Sequence, residues 1–337
     1  MLVDTARPTV EREAVPRFGF LRNWDTAIIV AVVISILVAS TAVTGFASPR
    51  NAGFLLIDMI PILLLALPMT LIILTGEIDL SVASIAGFIS CTFGALWNAG
   101  LPLEAIIPVC ILLGAISGAV NGILVSVVGL PSLAVTIGTL ALYRGLAFVV
   151  LGDQAVTSFP RAITTALQAK IGSTGIPVWI IPVVILAIVF GIVLHFTGFG
   201  RSLFAIGYSE EAARFAGITV ARTKFWLFIV SGAVAALVGI WWTLRYGSAR
   251  GDNATGLELS VIAAVLLGGV SIFGGKGNLP GVIAGVVLLA ILRNALQLAS
   301  VPEDTLSMLT GGLLIAAVVA PNAITWSRSL SRKPPSP

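Results

Sequence analysis

The chain has 337 residues, of which 58% are hydrophobic and 10% charged, with a mean hydropathy of +1.07. Soluble domains carry about 25% charged residues, so water is excluded as the main solvent, and apolar runs recurring from end to end exclude a pair of soluble domains. The net charge of +4 and the pI near 9.4 do not point to nucleic acid. The basic residues cluster in short connections between apolar runs, where membrane topology uses them.

In chain order, residues 1–25 carry Arg7, Arg12, Arg17 and Arg22 beside Glu11 and Glu13. They read as a cytoplasmic tail leading into a retained first span rather than a cleaved signal peptide. Helices are the one open-ended structure that satisfies its backbone in lipid, and a span needs about 20 apolar residues. About ten spans follow, near 26–45, 54–75, 81–98, 104–127, 132–151, 177–197, 224–244, 258–273, 281–299 and 305–325. The third and eighth are short and glycine-rich. Cys91 and Cys110 lie inside apolar runs and read as small buried hydrophobes. Two cysteines supply neither a disulfide framework nor a metal site. His195 ends a run and reads as interfacial. The whole stretch 26–326 forms one transmembrane domain, with a short cytoplasmic tail at 327–337.

Placing the N-terminus inside puts Arg7, Arg12, Arg17, Arg22, Arg201, Arg214, Arg222, Lys224, Lys276, Arg328, Arg332 and Lys333 on the cytoplasmic side. Arg50, Arg161, Lys170, Arg245 and Arg250 then lie outside, and Arg144 and Arg293 within spans. This asymmetry favours both termini inside. It makes 152–176 a periplasmic loop, with an amphipathic piece around Ile163–Ile171, and 198–223 a cytoplasmic one.

An internal repeat runs through the spans. Ile78-Asp-Leu-Ser-Val82 matches Leu257-Glu-Leu-Ser-Val261, Asn121-Gly-Ile-Leu matches Asn294-Ala-Leu-Gln, and Leu130-Pro131 matches Val301-Pro302. These strings pair spans two to five with seven to ten. An odd number of spans separates the copies, so they are inverted in the membrane, as in transporters whose path lies at the repeat interface.

The loop 198–223 is too patterned for disorder. Ser209 is placed to cap a helix whose first turn holds Glu210 and Glu211, complementing the dipole. Ala212, Ala213, Arg214 and Phe215 follow, and Gly217 stops it. Arg201 and Arg214 flank a small-residue surface that another protein can approach closely.

Polar groups at membrane depth are expensive and default to functional candidates. They are Asp58, Asp79, Asn121, Arg144, Glu258, Arg293 and Asn294. Asp79, Asn121, Arg144, Glu258 and Asn294 are the candidate path residues, since such groups bond solute hydroxyls directly. Each has a structural alternative. Asp79 and Glu258 also fit caps of helices beginning at Leu80 and Leu259, Arg144 and Arg293 fit snorkelling or pairing across the repeat, and Asn121 and Asn294 fit bonds between helices. Gly114-x3-Gly118-x3-Gly122 and Gly281-x3-Gly285 read as close helix packing.

With these residues in view, the chain resembles the permease subunits of ABC importers. The 209–217 segment looks like their Glu-Ala-Ala…Gly coupling element, which docks on a separate ATPase. Ile73-Leu-Thr-Gly-Glu-Ile-Asp-Leu-Ser81 is similar to the Thr-Gly-Gly-Ile-Asp-Leu-Ser signature of the ribose-type branch. Asn121-Gly, Thr136-Ile-Gly-Thr-Leu-Ala-Leu-Tyr-Arg-Gly145, Ile206-Gly-Tyr-Ser-Glu-Glu-Ala-Ala-Arg214 and Leu267-Gly-Gly-Val-Ser-Ile-Phe-Gly-Gly275 also match. Glu77 departs from the branch, replacing its second glycine, and Ala83 stands where glycine is frequent. Tyr246-Gly-Ser-Ala-Arg-Gly-Asp252 looks most like the permeases for rhamnose and for autoinducer-2.

The resemblance implies an all-α membrane fold and import of a monosaccharide or autoinducer-2 across a bacterial inner membrane. It further implies two partner ATPase subunits, a second permease chain identical or related to this one, and a periplasmic or lipid-anchored sugar-binding protein. The chain itself is expected to bind no cofactor and catalyse nothing. The string nearest a P-loop, Val270–Gly277, lacks the first glycine and the hydroxyl residue, so ATP and magnesium belong to the partner. A branched-chain amino-acid permease of the same family is the alternative, and an ion-coupled secondary transporter a more distant one. A membrane enzyme would need a cluster of catalytic groups, and a channel would need no docking helix.

Overall fold

A computed structural model describes residues 24–160, 164–165, 169–172 and 175–331. The described residues form twelve α-helices: α1 (Trp24–Ala42), α2 (Pro49–Leu74), α3 (Val82–Asn98), α4 (Leu103–Ser126), α5 (Ser132–Leu151), α6 (Ile180–Phe196), α7 (Gly198–Tyr208), α8 (Glu210–Phe215), α9 (Val220–Tyr246), α10 (Leu257–Leu267), α11 (Leu279–Leu298) and α12 (Glu303–Ser331). Only isolated bridges, Val156 with Ala249 and Lys170 with Pro177, supplement them among those residues.

Each expected span coincides with a helix, but the helices are unequal. Five of them, α2, α4, α5, α9 and α11, are long and apolar enough to cross a membrane. A sixth crossing arises if α6 and α7, bent by 67° at Thr197, count as one. Within α1, α3, α10 and α12 the apolar helical stretches are shorter. The expected span 258–273 is cut back to Leu267 because Gly269, Gly274, Gly275 and Gly277 take positive φ and turn the chain. The loop 198–223 holds two helices rather than one, since α7 precedes the expected surface helix. Residues 163 and 166–168 of the amphipathic piece at 163–171 lie outside the described residues, as do most of the N-terminal tail and residues 332–337.

The architecture follows from which helices are apolar all round. In α2 every side chain from Met59 to Leu74 is buried, the mark of a helix enclosed by others. It packs against α6, α7, α9, α10 and α11. Helix α9 crosses α4, and small residues set their distance. A Cβ at Gly118 would overlap the Phe228 carbonyl, and one at Gly114 would sit 2.5 Å from the Gly232 carbonyl. The expected role of the 114-118-122 spacing is thus realised. Gly285 abuts the Ala264 carbonyl in the same manner. Leu37, Val149, Ile185 and Ile188 point outward from α1, α5 and α6, an apolar surface suited to lipid.

Candidate coupling face and solute path

One end of the bundle carries α7 and α8. Ser209 adopts extended backbone and its hydroxyl accepts the Ala212 N–H at 3.2 Å. Gly217 has φ +81°, and the Ile218 N–H returns to the Ala213 carbonyl at 3.0 Å, so both ends of the short helix are capped as the sequence indicates. The two alanines part company. Ala213 is buried against Ile206 and Val220, which anchors the helix, while Ala212 is exposed. Glu211 and Phe215 are exposed with it, and Tyr208 stands beside them, so the free face is acidic and aromatic rather than uniformly small. Arg201 is exposed on α7.

A chain of ion pairs ties α8 to the bundle. Glu210 pairs with Arg214 one turn on and, at 2.7 Å, with Lys224 near the start of α9. Lys224 also donates to Glu77 at 2.6 Å. Glu77 follows the end of α2, so one buried ammonium joins three separate elements. Hydrogen bonding from Lys224 is the main influence holding the Glu210 carboxyl below its usual 4.5, with Arg214 adding to it. Lys224 and Glu77 were not among the site residues the sequence suggested. The signal lay in the departure itself, a glutamate at a glycine position and a lysine at the head of an apolar helix. A cavity of about 310 Å³ opens here, lined by Glu77, Leu130, Pro131, Glu210, Arg214 and Lys224 among others. The 268–278 turn closes against the same end through the Gly275 N–H, which donates to the Leu74 carbonyl at 2.9 Å.

Of the candidate path residues, Asp79 and Asn121 meet at the Ser81 hydroxyl, and among the described residues no hydrogen bond joins the other three to them. Asp79 is fully buried and accepts from the Ser81 N–H at 3.0 Å, the Ser81 hydroxyl at 2.6 Å and the Ser231 hydroxyl at 2.9 Å. It is not the N-cap of α3, which is Ser81 with no side-chain cap bond, but its bonds tie the residues leading into that helix to α9. Asn121 donates to the Ser81 hydroxyl at 2.8 Å, and its Oδ1 has no partner among the described residues. Arg144 donates to the Gly251 and Asn253 carbonyls at 2.7 and 2.8 Å, clamping the α9–α10 connection onto α5. Neither snorkelling nor an ion pair describes it. Glu258 does not cap α10 as the sequence allowed. The helix starts one residue earlier, behind Gly256 at φ +82°, so Glu258 sits in its first turn. Arg293 donates to the Ser260 hydroxyl at 3.1 Å. Asn294 exchanges amide hydrogen bonds with Asn51 at 2.8 and 3.0 Å, and it borders a cavity with Asp58 and Tyr246. Cys91 and Cys110 are buried free thiols, and His195 accepts from the Leu279 N–H.

A lipid-faced bundle of glycine-packed helices, carrying a capped charged helix at one end and polar residues within, is a polytopic transport protein. A family profile described as branched-chain amino acid transport system / permease component matches residues 51–318. The chain belongs to that permease family. The autoinducer 2 import system permease protein LsrD of Photorhabdus laumondii is 35% identical over 308 residues, covering 88% of this chain and 90% of its own. The protein of that name from Salmonella typhimurium is 34% identical, covering 88% and 91%. A solved inward-facing metal-chelate type ABC transporter aligns with 88% of this chain and 98% of its own, at 14% identity and a TM-score of 0.49.

Proposed function

We propose that the chain is the path-forming subunit of an ABC importer that brings autoinducer-2, or a small sugar of similar chemistry, into a bacterial cell. The observation that carries this reading is 35% identity to an autoinducer 2 import permease along nearly the whole chain, coupling segment included. The sugar-type strings at Ile78–Ser81 and Tyr143–Gly145 favour it over amino-acid import within the same family.

In this reading the end bearing α8 is cytoplasmic, and both termini lie on that side of the inner membrane. Arg201, Ser209–Arg214 and Gly217 form the coupling surface, on which one of two ATPase subunits docks against Glu211, Ala212 and Phe215. ATP and magnesium act there, not here. Motion of the ATPase reaches the spans through Glu210, Lys224 and Glu77. The opposite end receives solute from a binding protein, and a second permease chain completes the pore.

We further propose ten crossings built as an inverted repeat. The paired helix starts support it. Ser81, at the head of α3, accepts from Asn121 of α4, and Ser260, near the head of α10, accepts from Arg293 of α11. The head of α3 lies at the α8 end, and the head of α10 borders a cavity with Tyr246 at the other. On this reading Asp79, Asn121 and Arg144 hold the path helices in register, and Asn294, with Glu258 nearby, borders the path itself. Replacing Glu211 or Gly217 by a bulky residue uncouples ATP hydrolysis from uptake in the reconstituted complex. Unchanged uptake refutes the docking assignment.

A further inference from the structure

At the end of the bundle away from α8, a cavity of about 200 Å³ lies between α2, α9, α10 and α11. Its polar and aromatic lining is Asp58, Trp242, Tyr246, Arg293, Asn294 and Gln297. We propose that this cavity holds a small, uncharged, hydroxyl-rich solute during its passage through the chain. The proposal rests on the importer reading above and gives its solute a definite place.

Four features carry it. First, Asp58 and Gln297 are exposed on helices long enough to cross the membrane, yet neither side chain hydrogen-bonds to any described residue. A carboxylate at such depth is not left against lipid, so this face meets water, solute or protein. Second, the remaining polar groups are held in place. Asn294 is fixed by its reciprocal pair with Asn51, and Arg293 donates to Ser260. A preorganised site needs such support. Third, Trp242 and Tyr246 stand one turn apart on α9 with ring centroids 5.1 Å apart. They form an aromatic wall of the kind that packs on the C–H face of a sugar ring, while acid and amide groups bond its hydroxyls. Fourth, the charged lining opposes itself: one carboxylate, Asp58, stands in the same cavity as one guanidinium, Arg293. A site balanced in this way favours neither an anion nor a cation, and its volume admits one small ring rather than a chain of them.

In the sequence, Asp58, Arg293 and Asn294 stand out as polar residues at depth but not as neighbours. Periodicity explains their meeting. Asp58, Pro61 and Ile62 lie on one face of α2, Trp242 and Tyr246 on one face of α9, and Arg293, Asn294 and Gln297 on one face of α11.

The test uses the full complex in proteoliposomes, with autoinducer-2, ribose and leucine as probes, and Asp58→Asn, Gln297→Ala and Tyr246→Phe as variants. Asp58→Asn and Gln297→Ala are expected to lower autoinducer-2 or ribose uptake at least tenfold. ATP hydrolysis stimulated by the loaded binding protein stays within twofold of the parent, which separates a solute contact from a folding defect. If Asp58→Asn fails to assemble, Gln297→Ala, exposed and unbonded, decides alone. Parent-like uptake by the assembled variants overturns the site and leaves the importer reading standing. A parent complex that imports leucine, or none of the three probes, overturns the substrate reading and the site with it.

Discussion

Lys224 offers the sharpest perturbation. It is 7% exposed and joins Glu77 and Glu210 at 2.6 and 2.7 Å. Removing one member of a buried ion pair costs about 3–5 kcal/mol, because the other charge is stranded. The stranded carboxylates here retain some solvent: the side chain of Glu77 is 16% exposed and that of Glu210 39%. Screening reduces the effect to about 1–3 kcal/mol. The loss falls on α8, which otherwise leans on Ala213, Ile206 and Val220. Lys224→Met therefore raises local opening of α8 by about 30-fold if the loss is about 2 kcal/mol. Hydrogen exchange on the complex in nanodiscs measures this at the Ala212, Ala213 and Ala216 amides. ATP-driven uptake falls with it, while ATP hydrolysis persists. Adding Glu77→Gln to Lys224→Met recovers part of the protection, since one stranded charge is gone. Unchanged exchange in Lys224→Met, or a double variant worse than the sum of the singles, refutes the idea that this ammonium fastens α8 to the bundle.

Three further outcomes follow from the same geometry. Glu210 is held below 4.5 by Lys224 first; a lowered carboxyl stabilises above its unfolded value and loses that contribution as pH falls through the lower folded value. Protection of α8 is therefore flat between pH 6 and 8 and declines below about pH 4.5, and Glu210→Gln removes that acid decline. Asn51→Leu or Asn294→Leu alone orphans a buried amide at about 1–3 kcal/mol, whereas the double replacement recovers most of it; a thermal-melt cycle in detergent measures the coupling. Gly118→Val drives a side chain into the Phe228 carbonyl and abolishes assembly of the folded chain by size-exclusion chromatography, while Gly138→Ala, with open space beside it, leaves assembly intact.

The fold was largely legible because lipid imposes a strong rule: long apolar runs become helices. Span two was expected near 54–75 and α2 covers Pro49–Leu74. Its N-terminal turn was missed because Ser48, Pro49 and Arg50 are not apolar, although Ser48 with proline behind it is a recognised start. The eighth span was drawn too long because hydropathy does not register the glycine turns after Leu267. Around α8, capping chemistry sufficed: Ser209 and Gly217 behave as their residue types require. The ion-pair chain was not legible, because Glu77 and Lys224 stand 147 residues apart and only tertiary packing brings them together. The same holds for the polar candidates. Composition marked them as costly in a membrane, but whether each faces a neighbour or a cavity depends on helix rotation. Asp79 and Asn121 turned inward to Ser81 and Ser231, while Asp58 and Gln297, the second of them not among the polar candidates, turned to open space.

The most direct test of the account is transport itself. The chain is reconstituted in liposomes with an ATPase, a binding protein and the second permease chain proposed above, and labelled autoinducer-2 is supplied outside. The account predicts accumulation that requires ATP inside and is lost when Glu211 is replaced by tryptophan, with the ATPase still turning over. Accumulation independent of ATP, or ATP-driven uptake of leucine in place of autoinducer-2, contradicts it.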